Sequence, residues 1–108
     1  MTTETVLHNH LRAARVGVEA VMQDYTDQSI LITHDTTYRG LAEIRRFFTG
    51  LFQGLPAGFF DAITMHRQEI VGEVAYILWE RPPQIARATD TFVVRNGKIL
   101  VQTFAVMA

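Results

Sequence analysis

A carboxylate stands where a β-strand should be apolar. In the run ATDTFVVRNGKILVQTF, Ala88 to Phe104, two-residue alternation puts Ala88, Asp90, Phe92 and Val94 on one face and Thr89, Thr91 and Val93 on the other. Dehydrating an ionised carboxyl is costly unless hydrogen bonds compensate. Asp90 is therefore either a structural carboxylate satisfied by a neighbour, or a cavity acid whose pKa is raised by burial. In the second case it donates to a ligand oxygen while protonated, or acts as a base.

Other polar and aromatic residues are candidates for the same cavity. His10 falls on the apolar stripe of the first predicted helix, between Leu7 and Leu11, so it points at the sheet, as a satisfied core histidine or as the acid/base partner of Asp90. Tyr25 ends the second helical run with its ring inward and its hydroxyl needing a partner. Trp79 is expected on a pocket wall or in a subunit contact, and His34 with Asp35 at a cavity mouth or in a surface turn. Ile32 of the first strand, Phe48 and Leu51 of the third helix, Phe92, and Thr103 of the last strand complete the expected ligand-binding set. The four histidines, His8, His10, His34 and His66, show no metal-ligand spacing, and no GxSxG, Walker or GxGxxG string occurs. No metal and no cofactor is expected.

Helices come first in the elements that must position these groups. Thr3 is a candidate N-cap for a helix with Leu7, His10, Leu11 and Ala14 on one stripe, and Gly17 weakens its continuation. A short run from Val18 carries Val21, Met22 and Tyr25; Ser29 to Thr33 suits a strand, HDTTYRG reads as a loop, and LAEIRRFFTGLF is a third amphipathic helix. Strand patterns then run over Ala62–Ile70, Glu73–Glu80, Ile85–Arg95 and Lys98–Val106, with turns at Val71-Gly72 and Asn96-Gly97. Helices followed by antiparallel strands is the α+β pattern.

The chain has 108 residues, 48% hydrophobic and 19% charged, with a formal net charge of −1, which fits one domain over 1–108 and offers no electrostatic footprint for nucleic acid or an anionic membrane. It contains no cysteine and begins without a basic or apolar leader, so a cytoplasmic protein with neither disulfides nor a signal peptide is expected. Several strands are apolar on both faces: Ala75, Ile77 and Trp79 lie opposite Val74, Tyr76 and Leu78, and Ile99, Val101 and Ala105 opposite Leu100, Phe104 and Val106. A sheet with one wet face alternates instead, so a homodimer through the outer sheet face is expected.

The strings DYTDQSILIT, TYRGLAEIRRFF and DTFVVRNGKI, in that order, resemble the NTF2-like superfamily, in particular its SnoaL-like and ketosteroid-isomerase-like branch. The resemblance spans Leu7 to Val106. It implies a cystatin-like α+β cone: a curved, mostly antiparallel sheet with three N-terminal helices on its concave side, a deep apolar pocket, and dimerisation through the outer sheet face. Asp90 falls where ketosteroid isomerases hold a neutral aspartic acid against a steroid oxyanion, a worked example of pKa tuning. Their general base matches the aliphatic Ile32, and their oxyanion-hole tyrosine matches a position near Asn9 or His10. The epoxide-hydrolase pattern of an Arg-x-Asp pair is not met, since Ala88 precedes Asp90 by two. Two functions follow as expectations: a dimer binding a small hydrophobic molecule, or an isomerase, cyclase or hydratase in which Asp90 and His10 work on a carbonyl or polyketide-like substrate.

Overall fold

A computed structural model describes residues 1–107 of the chain; Ala108, the last residue of the expected domain, lies outside them. The first helix, α1, covers Thr3–Ala14 and buries Val6, Leu7 and His10, residues three and four apart on one face. Its N-cap is Thr2 rather than Thr3: the Thr2 side chain accepts from Thr5 N–H at 3.0 Å, while the Thr3 hydroxyl donates to the Gly72 carbonyl at 2.8 Å and fastens the helix to a hairpin turn. Gly17, at φ 147° and ψ −172°, breaks the helical path in a conformation that only glycine adopts readily, and α2 begins at once over Val18–Met22.

Strand β1 (Ile30–Thr33) leads into β2 (Thr37–Arg39), so the segment HDTTYRG is not all loop: Leu31 pairs with Tyr38 and Ile32 with Thr37. Helix α3 spans Gly40–Gln53 and buries Ile44 and Phe48. A short 3-10 helix, Phe59–Ala62, replaces the expected start of the next strand, and β3 (Thr64–Val71), β4 (Val74–Arg81), β5 (Ile85–Arg95) and β6 (Lys98–Met107) follow. The sheet order is β2-β1-β6-β5-β4-β3, antiparallel except where β1 lies parallel to β6. Asn96 at φ 53° and Gly97 at φ 75° turn β5 into β6, as the Asn-Gly dipeptide predicts.

Register shifts at Met65/Arg67, Trp79/Arg81 and Val93/Val94 mark where the ladders are irregular, and such bulges bend a sheet. The third overturns part of the alternation read from β6. Val94 pairs with Ile99 and Val93 with Val101, so Leu100 is the extra residue; Ile99 turns inward with Gln102 and Phe104, not outward with Val101 and Ala105.

The helices cover the face that carries Ala75, Ile77 and Trp79 of β4 and Ala88, Asp90, Phe92 and Val94 of β5, all buried. On the other face Tyr76, Leu78, Val93 and Val101 are only half-buried and Val74 is 39% exposed, with Arg67 lying over the Tyr76 ring at 5.6 Å. No helix is long and apolar enough to cross a membrane.

Candidate functional site

Asp90 is 6% exposed at the middle of β5. Its two neighbours across the ladders are Ile77 on β4 and Phe104 on β6, but its hydrogen bonds come diagonally. Trp79, opposite Ala88, donates Nε1–H to Asp90 Oδ1 at 2.8 Å, and Gln102, opposite Phe92, donates Nε2–H to Oδ2 at 2.9 Å. The Gln102 amide is held in turn by the Tyr25 hydroxyl, which donates to Oε1. A buried chain Tyr25–Gln102–Asp90–Trp79 results, and among the described residues no buried side-chain nitrogen or oxygen is left without a partner.

Burial pushes the Asp90 carboxyl above the usual carboxylate range; the donors Trp79 and Gln102, and the nearby His10, pull the other way. Tyr25 is driven well above its usual value, first by burial and then by the charges of Asp24 and Asp90, so its hydroxyl stays protonated and able to donate.

His10 reaches the same interior from α1. Its Nδ1 meets Asp24 Oδ2 at 2.9 Å, and both side chains are largely buried, 8% and 15% exposed. Asp24 follows α2, and its carbonyl accepts from Ile99 N–H at 2.8 Å, which ties this acid to the start of β6. The imidazole packs edge-on against Phe92, centroids 5.2 Å apart, and against Tyr25 at 6.0 Å. With Nδ1 committed, Nε2 has no hydrogen-bond partner among the described residues, and the ring borders the cavity. A carboxylate on one nitrogen fixes the tautomer and leaves the other to exchange a proton.

The cavity lies between α1, α3 and the concave sheet face and has a volume of about 60 Å³. Phe47, Phe48, Phe52, Phe60, Phe92 and Phe104 fill much of the cone, so the interior is narrower than the deep pocket the resemblance implies. Its polar lining is confined to His10, Asp90, Gln102 and the Trp79 indole. His10 and Asp90 thus share one chamber, though no hydrogen bond joins them. Among the described residues, no three His, Cys, Asp or Glu side chains converge as a metal ion would require.

Of the residues expected at the site, Phe48, Leu51, Trp79 and Phe92 line the chamber beside Asp90 and His10. Tyr25 sits behind it, buried, acting through Gln102. Three fall elsewhere. Ile32 is 40% exposed, because β1 turns Leu31 inward and Ile32 outward; the inward residue is equally unable to take a proton. His34 is in the loop between β1 and β2 with its side chain 70% exposed, 3.9 Å from Asp35. Thr103 is exposed on the outer sheet face, paired with Thr91 and flanked by the inward Gln102 and Phe104. Asp24 and Gln102 were missed. Gln102 had a signal, being polar inside the apolar run ILVQTFAV; Asp24 reads as an ordinary helix-end acid until the fold brings it to His10.

No protein-family model matches the sequence, and no curated protein matches it at the level of sequence. Solved structures do match in fold. A proposed polyketide cyclase from Sinorhizobium meliloti superposes with a TM-score of 0.77 at 11% identity, over 93% of this chain and 93% of that one. An NTF2-like protein of unknown function from Burkholderia xenovorans gives 0.73 at 16% identity over 96% and 81%. A Catenulispora acidiphila protein with a ketosteroid-isomerase-like fold, solved with trimethylamine, gives 0.69 at 12% identity over 92% and 82%. With three helices against a curved, unclosed, mostly antiparallel sheet, the chain has the NTF2-like, ketosteroid-isomerase-like α+β cone fold.

Proposed function

We propose that the chain binds a small, mainly apolar molecule inside the cone and presents His10 Nε2 and Asp90 to its polar atoms. The observation that carries this reading is a chamber walled by aromatic side chains and lined by both the buried Asp90 and His10, whose Nε2 has no hydrogen-bond partner among the described residues. Size constrains the ligand: about 60 Å³ is well below the roughly 300–1,000 Å³ of pockets for drug-sized molecules, so a compound of a few heavy atoms fits as the walls stand. Trimethylamine, held by the Catenulispora neighbour, is of that size. A steroid or polyketide needs the walls to move.

A second reading, acid/base catalysis, is favoured by the His10–Asp24 contact of 2.9 Å. In it His10 carries the proton on Nε2 and Asp24 positions the ring. Asp90, with both oxygens already accepting, is an electrostatic partner rather than the oxyanion donor of the ketosteroid isomerases. Isomerisation, cyclisation or hydration of a small carbonyl compound is the reaction class, in line with the polyketide cyclase proposal for the Sinorhizobium neighbour. Two copies are proposed to pair through the outer face of Tyr76, Leu78, Val93 and Val101.

The test is an NMR titration with small ketones and trimethylamine, following the Trp79 indole N–H and the His10 ring. Saturable shifts are expected in the wild type and none in Leu51→Trp, which fills the chamber. Shifts that persist in the filled variant, or fail to saturate in the wild type, would refute the site. Turnover that survives His10→Gln would refute the catalytic reading alone.

A further inference from the structure

The inner chamber has a neighbour. A second hollow of about 160 Å³ lies between the end of α1, the loop after α3 and the 3-10 helix, and Ala14, Phe52, Leu55 and Phe60 belong to the walls of both. Their chemistry differs: the outer hollow is bordered by Arg15 and Asp61 and by the backbone of Ala57 and Gly58, whereas the inner one is aromatic.

We propose that the two hollows form one binding site for an amphiphile, its apolar end in the inner chamber and a neutral hydroxyl or amide head in the outer one between Arg15 and Asp61. This extends the reading of the inner chamber as a ligand site and rests on it. Arg15 Nε donates to Asp61 Oδ1 at 2.8 Å, with both side chains about half exposed at 56% and 53%. That bond uses one nitrogen and one oxygen. The terminal guanidinium nitrogens and Asp61 Oδ2 have no partner among the described residues, so a head group that accepts from the first and donates to the second joins the pair without breaking it. Gly58, at φ 74°, lies beside that oxygen: a Cβ there would make ordinary van der Waals contact with Oδ2 at 3.4 Å. A ligand with net charge is disfavoured, because it satisfies one member of the pair and repels the other. Size points the same way: the inner chamber admits only a few heavy atoms, and a longer molecule gains space past the half-buried Phe52 and Phe60, which border both hollows, without displacing the buried Phe48 and Phe92.

The experiment uses 1-hexanol as the amphiphile and xenon as a probe of the inner chamber, whose walls are mainly aromatic and aliphatic. Binding of 1-hexanol is measured by calorimetry and xenon by ¹²⁹Xe NMR. Asp61→Asn and Arg15→Gln are each expected to weaken 1-hexanol about two- to tenfold, the worth of one hydrogen bond, and to leave xenon uptake unchanged. Ala57→Trp, which fills the outer hollow and does not line the inner chamber, is expected to abolish hexanol binding and keep the xenon signal. Hexanoate and hexylamine should both bind more weakly than the alcohol. Unchanged hexanol affinity in the Arg15 and Asp61 variants, or equal affinity for the charged analogues, would overturn the outer head-group site while the inner chamber stands. Loss of the xenon signal in the wild type would overturn both.

Discussion

Replacing Gln102 with leucine removes the middle of the buried chain. Asp90 Oδ2 then loses its donor and the Tyr25 hydroxyl its acceptor, and both groups are enclosed, 6% and 4% exposed. An orphaned buried polar group costs about 1–3 kcal/mol, more when charged, and the leucine recovers about 1 kcal/mol of apolar burial. A net loss of about 2–4 kcal/mol is expected near neutral pH. The loss should depend on pH. The folded Asp90 carboxyl is raised by burial, and taking away a donor that favours its charged form raises it further. A carboxyl whose folded pKa exceeds its unfolded one supports the fold below the ordinary carboxylate range, and that support is lost as pH rises through the folded value. The deficit of Gln102→Leu against wild type should therefore be smallest in acid and grow toward neutrality. Urea unfolding of both proteins at several pH values measures it, with Asp90→Asn as the control in which the pH-dependent part of the Gln102→Leu deficit disappears. A deficit below about 1 kcal/mol at neutral pH, or one that stays constant with pH, would show that the chain Tyr25–Gln102–Asp90 contributes little to holding the carboxylate in place.

Two further outcomes are expected. Gly17→Ala should cost about 1–3 kcal/mol in urea unfolding from backbone strain alone, because φ is 147° and an added Cβ meets no atom within 4 Å; a neutral effect would mean that the α1–α2 break is relaxed. Leu78→Lys places a charge on the half-buried outer sheet face and should turn a dimer into a monomer by light scattering with the fold kept; a wild type that is already monomeric refutes the proposed pairing.

The two-residue period was enough to put Asp90 on the inward face, because β5 runs regularly through Ala88, Phe92 and Val94. The same logic failed at the start of β6, where the Leu100 bulge turns Ile99 inward; further on the alternation holds and puts Thr103 outside, between the inward Gln102 and Phe104. No local property of the run KILVQTF announces an extra residue. Helical periodicity likewise placed His10, while its partner Asp24, fourteen residues on, was invisible: the 2.9 Å contact depends on how α2 docks beside α1, a tertiary fact. Ile32 and His34 were misplaced for a similar reason. A four-residue strand followed by a polar loop carries too few alternations to say which face is wet, and pairing with β2 and β6 decides it.

The aromatic walls bear on how the cavity enlarges. Phe48 and Phe92 are 6% and 1% exposed and pack directly against the His10 ring, so moving either disturbs the polar network as well as the core. Phe52 and Phe60 are only partly buried and touch each other at 5.5 Å on the side of the outer hollow. Displacing a half-exposed ring forfeits less apolar burial than displacing a fully enclosed one. Expansion of the inner chamber toward Arg15 and Asp61 therefore costs less than expansion past Phe48 or Phe92. Such an expansion leaves the hydrogen bonds of His10, Asp90 and Gln102 in place, and a reacting or recognised group must be held accurately there.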